Sequence, residues 1–490
     1  MTLAQRATLD TAARQAACTA LLAQVREQGL GQVRVVWADL HGTLRGKTLV
    51  LDDNGAALQS ALDNGVGMVS TMFLKDTSDR TAFKVFEPGA LAALDGFGSA
   101  NNALLLPDPS SLQMLPWAPH SAWLRADALW ADGSPVLADP RVVLTRALAN
   151  LSQAGYSLRC GLEVEFHIYR ITDDGLDCGQ AAWPGQPPAV RLIHPGYQLL
   201  SDNWADMAHE PLEIVRHTAL GLGLPLRSLE IELGPSQVEA VFAPIDALTA
   251  ADQMVMFRNG VRQALRRAGY HATFVCKPPF PNAVASGWHL HQSLVDAAGC
   301  NAMQRTAPAG TADDARQVLS DTGVHWLAGL LQHASGITAL CAPTLAAYER
   351  FQGSMMAPQS AHWGRDNRGA LLRVLGAPQD PATRIENRLG EPMANPYLMI
   401  AAQVLAGLDG LQRQLDPGPA TLAPYASTAP ALPSSLSQAL DALAADPVLQ
   451  QGLGPVMATV FDTAKRQELA RCAAAKDALA WQRSEYFARY

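Results

Sequence analysis

The segment Glu230-Ile-Glu-Leu-Gly-Pro-Ser-Gln-Val-Glu239 holds two strand-like runs around a Gly-Pro turn, with three acids on them. Residues two apart on a strand share a face, so Glu230 and Glu232 point the same way. The tight turn can fold Glu232 and Glu239 toward one point. An acidic surface hairpin would look similar. Ile231, Leu233, Val238, Val241 and Phe242, however, give these strands an apolar side to bury. The pattern predicts two strands between Ser228 and Phe242.

Three further segments have the same character. In Gly161-Leu-Glu-Val-Glu-Phe166, Glu163 and Glu165 share one face, and Leu162, Val164 and Phe166 take the other. Side-by-side carboxylates repel, and a divalent cation relieves that; taken alone, the pair also fits a solvated strand face. His289 and His291 share a face in Ala285-Ser-Gly-Trp-His-Leu-His-Gln-Ser293, where a lone histidine is more often a core residue than a ligand. In Arg384-Ile-Glu-Asn-Arg388 two cations bracket Glu386, which in isolation reads as a surface ion-pair ladder of small worth. Together the segments offer five strong carboxylate candidates and one or two imidazoles. That donor set suits Mg²⁺ or Mn²⁺ better than Zn²⁺. Arg350, Arg365, Arg368 and Arg373 add planar cations suited to phosphate and carboxylate. Carboxylate-bound metal with a ring of arginines is what phosphoryl transfer requires.

Outward from these motifs, 490 residues exceed one ordinary core, so two domains are expected. The turn-rich stretch ADGSPVLADP sets a boundary near residue 138, giving domains 1–138 and 139–490. Residues 3–28 read as one helix, Val33 to Trp37 as a strand, His41-Gly42 as a turn, and Lys47 to Leu51 as a returning strand. Leu104 to Leu115 reads as strand and loop. Strands are expected at Leu158 to Tyr169, Ala272 to Val275 and Trp288 to Val295. Helices are expected from Arg141, over Ala251 to Ala268, over Asn395 to Leu411, and through the last fifty residues. Residues 416–435, dense in Pro, Ala and Ser, form a loop.

A net charge of −8 argues against general nucleic-acid binding. No run of about 18 apolar residues predicts a membrane span, and the polar beginning does not resemble a signal peptide. Seven scattered cysteines with no C-x-x-C pair point to a reducing compartment, the cytoplasm.

In five ordered motifs the chain resembles the glutamine synthetase family. The family's E-x-E strand is similar to Glu163-Val-Glu165, and its E-x-G-P-G-Q-x-E element to Glu232 through Glu239, with Ser236 where glycine is usual. Its K-P loop is similar to Lys277-Pro278, its G-x-H-x-H-x-S strand to Gly287 through Ser293, and its R-I-E-x-R segment to Arg384 through Arg388. The likeness runs from ValTrpAlaAspLeuHisGlyThrLeuArgGlyLys to AsnProTyrLeu at 395–398.

This resemblance implies an α+β fold: an N-terminal β-grasp domain, then a catalytic domain with a curved antiparallel sheet. It implies one metal site of Glu165, Glu232 and Glu239 and a second of Glu163, His289 and Glu386. It implies glutamate binding by Arg350 and Arg388, ATP contacts from Ser293, Arg373 and Arg384, and phosphoryl stabilisation by Arg368. A homo-oligomeric ring, usually a double ring such as a dodecamer, with sites shared between subunits, is implied too. So is a two-step reaction, in which ATP converts glutamate to γ-glutamyl phosphate and an amine displaces phosphate.

The chain departs from the family where ammonium is held. The family's Asp-Gly-Ser-Ser stretch corresponds to Gly67-Met-Val-Ser-Thr-Met72, with no acid, and the family's flap glutamate falls at Met356. Ser70, Met72, Met355 and Met356 then form a candidate amine pocket, polarisable and suited to an aromatic ring. The sequence therefore favours a small apolar, aniline-like amine, as in γ-glutamylanilide synthetases. γ-Glutamylpolyamine or alkylamine synthesis is the second reading and ordinary glutamine synthesis the third. A non-catalytic scaffold of the same fold is a further alternative; so many retained buried charges argue against it. A guanidino kinase of related fold is disfavoured by the R-I-E-x-R and H-x-H elements.

Overall fold

The computed structural model describes residues 1–52, 55–353 and 356–490. Two sheets organise it. The first uses β1 (Gln32–Ala38), β2 (Leu44–Val50), β3 (Val66–Val69), β4 (Asn102–Met114) and β5 (Ser121–Leu129) in the order β2-β1-β5-β4-β3. β1 and β5 run parallel, and the other pairs are antiparallel. Leu21 and Val25 of the helix Ala12–Glu27, and Leu58 and Leu62 of the helix Ala56–Asn64, pack on Val33, Ala122 and Leu124 of this sheet.

The second sheet carries the motifs. Its strands are β6 (Ser157–Asp173), β7 (Ala189–Leu192), β8 (Leu226–Ile231), β9 (Gln237–Asp246), β10 (Tyr270–Thr273), β11 (Trp288–Val295), β12 (Trp363–Arg365), β13 (Leu372–Leu375) and β14 (Arg384–Gly390). The main path is β12-β13-β14-β11-β6-β9-β8, with β7 and β10 pairing the far end of β6. All pairs are antiparallel except β12 with β13. Behind the sheet lies the helix Pro396–Arg413, buried along nearly its whole length against the helix Asp321–Gln332. The two approach closely because Gly407 leaves room for Trp326, whose ring would lie 2.3 Å from an added Cβ.

The ValTrpAlaAspLeuHisGlyThrLeuArgGlyLys stretch is the β1–β2 hairpin, and its turn ties the two parts together. Asp39 accepts from the backbone of His41 and Thr43 at 2.9 and 3.0 Å. Asn395 caps the buried helix through its side-chain oxygen and donates its amide to Asp39 O and Leu40 O at 3.1 and 3.0 Å. Buried Arg258 donates to Pro392 O and Ala394 O at 2.7 and 3.0 Å and to the turn carbonyl of His41 at 3.4 Å. Gly42, at φ +72°, is required: a Cβ there would lie 2.0 Å from the Arg258 guanidinium.

Two expectations need correcting. Residues 3–28 are two helices, Leu3–Arg6 and Ala12–Glu27, because Thr8 turns to φ +59° and Thr11 caps the second helix at Arg14 N. Leu104 to Met114 lies within one long strand, β4, which ends just before Leu115 and whose register with β5 shifts between Pro107 and Leu112.

The final segment folds back onto both parts. Phe487 O lies 2.7 Å from His271 Nε2, and Tyr490 O accepts from Thr273 at 2.7 Å. Glu485 accepts from Thr77, Ser78 and Arg471. Burial alone would raise the Glu485 carboxyl, but these donors hold it down at about 2. A depressed carboxylate stabilises the fold above its unfolded value of roughly 4.3 and loses that contribution as pH falls toward 2. Glu485→Gln is expected to lower the pH 7 melting temperature, at a cost of up to about 3 kcal/mol. It should also flatten the stability loss between roughly pH 4.3 and 2. Equal acid sensitivity of variant and wild type by thermal melts would contradict this.

Candidate active site

Strand alternation and cross-strand register build the site in rows. Glu165 on β6 faces Glu239 on β9, which faces Glu230 on β8. Glu163 on β6 faces His289 on β11. His291 on β11 faces Glu386 on β14, which faces Arg373 on β13. The alternate residues Leu162, Val164 and Phe166 of β6 are buried in the core.

Like charges directly opposed across strands are destabilising, and here they are also buried. Burial, then Glu165, Glu163, Glu232 and Glu230, push Glu239 up to about 10. Burial and Glu165 push Glu232 up to about 7. His289 is the hub of the cluster. Its Nδ1 lies 3.5 Å from Glu163 and 3.8 Å from Glu386, and its Nε2 lies 3.8 Å from Glu165. Glu386 is fully buried between Arg373, at 3.0 Å, and Arg388. Despite that burial its carboxyl is held below the usual range by nearby His289 and Arg388.

Among the described residues, two sets of donor atoms converge within 4.8 Å: Glu163, Glu239 and His289; and Glu163, His291 and Glu386. Hard carboxylate oxygens with one imidazole, crowded enough to repel, fit a divalent cation. The grouping differs from the sets that the resemblance implies. His291 enters, 2.8 Å from Glu163, with its Nδ1 accepting from Arg384. Glu165 and Glu232 fall outside both sets. Glu165 Oε2 accepts from Gly287 N and Gln237 Nε2 at 2.9 and 3.1 Å, and Glu232 accepts from Leu233 N at 3.2 Å.

The remaining candidates surround this face. Arg350 is buried and donates to the carbonyls of Arg388, Leu389 and Gly390 at 3.0, 3.2 and 3.2 Å. Arg388 pairs with Glu386, while its buried Nε has no partner among the described residues. Ser293, Arg384, Glu163 and His291 line a cavity of about 650 Å³, to which Arg159 and Arg227 add two cations that the motifs did not single out. Arg373 also binds Asp366 at 3.0 Å. Arg368 is exposed in the β12–β13 connection. Lys277 pairs with Glu349 at 3.0 Å.

Ser70 is buried, its hydroxyl donating to Asn101 at 2.9 Å, and Met72 is half-buried against the core, so neither contacts the acidic cluster within this chain. Met356 is 52% exposed, and Met355 lies outside the described residues. Trp288 is core. His362 and Trp363 hold the 416–435 excursion, at 2.9 Å from Pro424 O and 3.0 Å from Gly418 O.

Gln237 stands in the quoted motif but was given no role there. Ser236, in place of the usual glycine, adopts φ +62° and accepts from Ile193 N at 2.9 Å, which offsets the cost of that backbone.

The family profile described as "Glutamine synthetase, catalytic domain" matches residues 137–486. The chain is 37% identical over 484 residues to a gamma-glutamylanilide synthase from Acinetobacter sp, covering 95% of each chain. It is 33% identical over 397 residues to a glutamine synthetase from Halobacterium salinarum, covering 78% of this chain and 82% of the other. A solved structure described as a GmaS/ADP complex superimposes with a TM-score of 0.75 at 30% identity, over 94% of this chain and 98% of that one. The chain belongs to the glutamine synthetase family. It is an ATP-dependent, amide-forming ligase. No helix among the described residues is long and apolar enough to cross a membrane.

Crowded acids make a thermal prediction. Mg²⁺ or Mn²⁺ should raise the melting temperature; one ion at a hundred times its dissociation constant adds about 2.7 kcal/mol. Glu239→Gln should raise the metal-free midpoint at pH 7, because it removes the cost of keeping that carboxyl protonated in the fold, and lose most of the metal-induced rise. An undiminished rise in the variant would contradict the assignment of Glu239.

Proposed function

We propose that this ligase joins the γ-carboxylate of glutamate to a small, apolar, aniline-like amine through γ-glutamyl phosphate. The observation that carries the reading is the replacement of both ammonium-holding acids while the acidic and arginine face is intact. Gly67 through Met72 contains no acid, and exposed Met356 stands at the flap position. The 37% identity to a gamma-glutamylanilide synthase supports it. Ammonium is a cation and must be trapped and deprotonated by a carboxylate. An arylamine is neutral at pH 7 and needs neither step.

In this reading Arg350 and Arg388 bind glutamate. The three carbonyls that hold Arg350 fix its plane, and the partnerless Nε of Arg388 is a ready donor. Ser293 and Arg384 bind ATP along the 650 Å³ cavity, and Arg373, held by Asp366 and Glu386, joins them from β13. Arg368 folds over the transferring phosphoryl group and offsets charge that develops there. Glu163, Glu165, Glu232, Glu239, His289 and Glu386 would hold Mg²⁺ or Mn²⁺, which would supply positive charge against the phosphates. Phosphorylation turns the carboxylate oxygen into a good leaving group, and the amine then attacks in a site that excludes water. Met72 and Met356 line the amine pocket in this reading; Ser70 is buried within its own chain, and Met355 lies outside the described residues.

Residues 1–138 form the β-grasp domain and 139–490 the catalytic domain. The parallel β1–β5 pair, the two separate sheets and the Asp139-capped helix Pro140–Gln153 support that division. We also read the enzyme as a ring, such as a dodecamer, in which one subunit's half-buried Met72 completes a neighbour's site. Exposed Leu199, Leu200, Met207 and Leu233 near the open edge strand β8 are apolar surface for such a contact. Seven cysteines without a disulfide fit the cytoplasm.

The test is an acceptor swap. Met356→Glu is expected to raise kcat/KM for ammonia relative to aniline by about 100-fold, the lower end of what one general base contributes. Competing both amines in one reaction and weighing the γ-glutamyl products by mass spectrometry reads the ratio. Ammonia product dominating in the wild type would overturn the proposal.

A further inference from the structure

Within the assigned metal-binding face, one buried neutral side chain touches every segment that carries an acidic candidate of the first site. Gln237 is 1% exposed. Its Nε2 donates to Glu165 Oε2 at 3.1 Å, to Ser286 Oγ at 3.0 Å and to Ala285 O at 3.3 Å. Its Oε1 accepts from Gly234 N at 2.8 Å, and its backbone N donates to Gly234 O at 3.1 Å. Its backbone O accepts from Glu232 N at 3.0 Å and lies 3.2 Å from His194 Nε2. One amide therefore closes the Gly234-Pro235-Ser236 turn between Glu232 and Glu239, orients Glu165, and grips the 285–286 segment two residues ahead of β11 and His289.

The amide does what a carboxylate or hydroxyl could not do there. Four acids already crowd the face, so a neutral donor steadies Glu165 without adding charge. Its oxygen and nitrogen are distinguished by their partners: Gly234 N can only donate, and Ala285 O can only accept. Ser286 extends the chain inward, 3.4 Å from His167 Nδ1. The links to Gly234, Ser286 and His167 are buried and those to Glu165 and Ala285 half-buried, and hydrogen bonds shielded from water in this way favour a single arrangement.

We propose that Gln237 is a positioning residue for the metal-binding carboxylates, holding Glu165, Glu232 and Glu239 in register for a divalent cation. The inference rests on the metal-site reading above. Partners that orient metal ligands typically change affinity by about 10–100-fold when removed. Gln237→Met keeps the length and loses both hydrogen-bonding ends. Mn²⁺ titration of the metal-stripped full-length protein, read as free Mn²⁺ by electron paramagnetic resonance, should show affinity weakened about 10–100-fold. At saturating Mn²⁺ the variant's kcat should recover to near the wild-type value. Ser286→Ala, a milder change that only frees the amide, should weaken Mn²⁺ binding about threefold, and it serves if Gln237→Met does not fold. Glu485→Gln lowers stability from the far tail and should leave Mn²⁺ affinity unchanged. Equal Mn²⁺ affinity in wild type and both network variants overturns the positioning role. Absence of stoichiometric Mn²⁺ binding in the wild type itself overturns the metal-site reading instead.

Discussion

The fold is arranged around a repulsion. Glu165, Glu239 and Glu230 stand opposite one another on three adjacent strands, with Glu163 one position along and Glu232 at the turn. Left alone, such a face would drive its strands apart or protonate, and Glu239 takes the second course. Strands this acidic stay paired because their other faces are core: Val164, Phe166, Val238 and Ala240 are fully buried. Cations on neighbouring strands supply the counter-charge. His289 and His291 come from β11, and Arg373 and Arg388 from β13 and the end of β14. The counter-charge is incomplete, and a divalent cation of the kind this family uses would supply the remainder.

Much of this was legible in the sequence because strand alternation is a strict rule. Glu163 with Glu165, His289 with His291, and Arg384 with Glu386 and Arg388 could each be assigned a face from spacing alone, and β11 begins and ends where the pattern put it. Periodicity does not encode cross-strand register, so the sets of donors that converge differ from the expected ones. Neither His291 beside Glu163 nor Glu165 turned toward Gln237 follows from either residue's own strand. The break at Thr8 was hidden because the residue is not glycine or proline. The role of Gln237 was hidden because a lone glutamine carries no charge signal, although it lies inside the motif that was read.

The two parts of the chain meet through backbone recognition rather than through apolar packing alone. Asn395 and Arg258 read the carbonyls of the β1–β2 turn, and Glu485 gathers Thr77, Ser78 and Arg471 into one cluster. Such bonds fix orientation, which apolar contact does not. That orientation matters because the stretch with no ammonium-holding acid, Gly67 through Met72, leads directly into Phe73 and Leu74, which are buried in the main core. That segment is therefore anchored in the same core as the strands of the acidic face.

The most direct test is ATP- and glutamate-dependent phosphate release across aniline, isopropylamine, putrescine and ammonia, with Mg²⁺ and again with Mn²⁺. The account predicts strong turnover with aniline, weaker turnover with isopropylamine, and little with putrescine or ammonia. Best turnover with ammonia would contradict it and make the chain an ordinary glutamine synthetase.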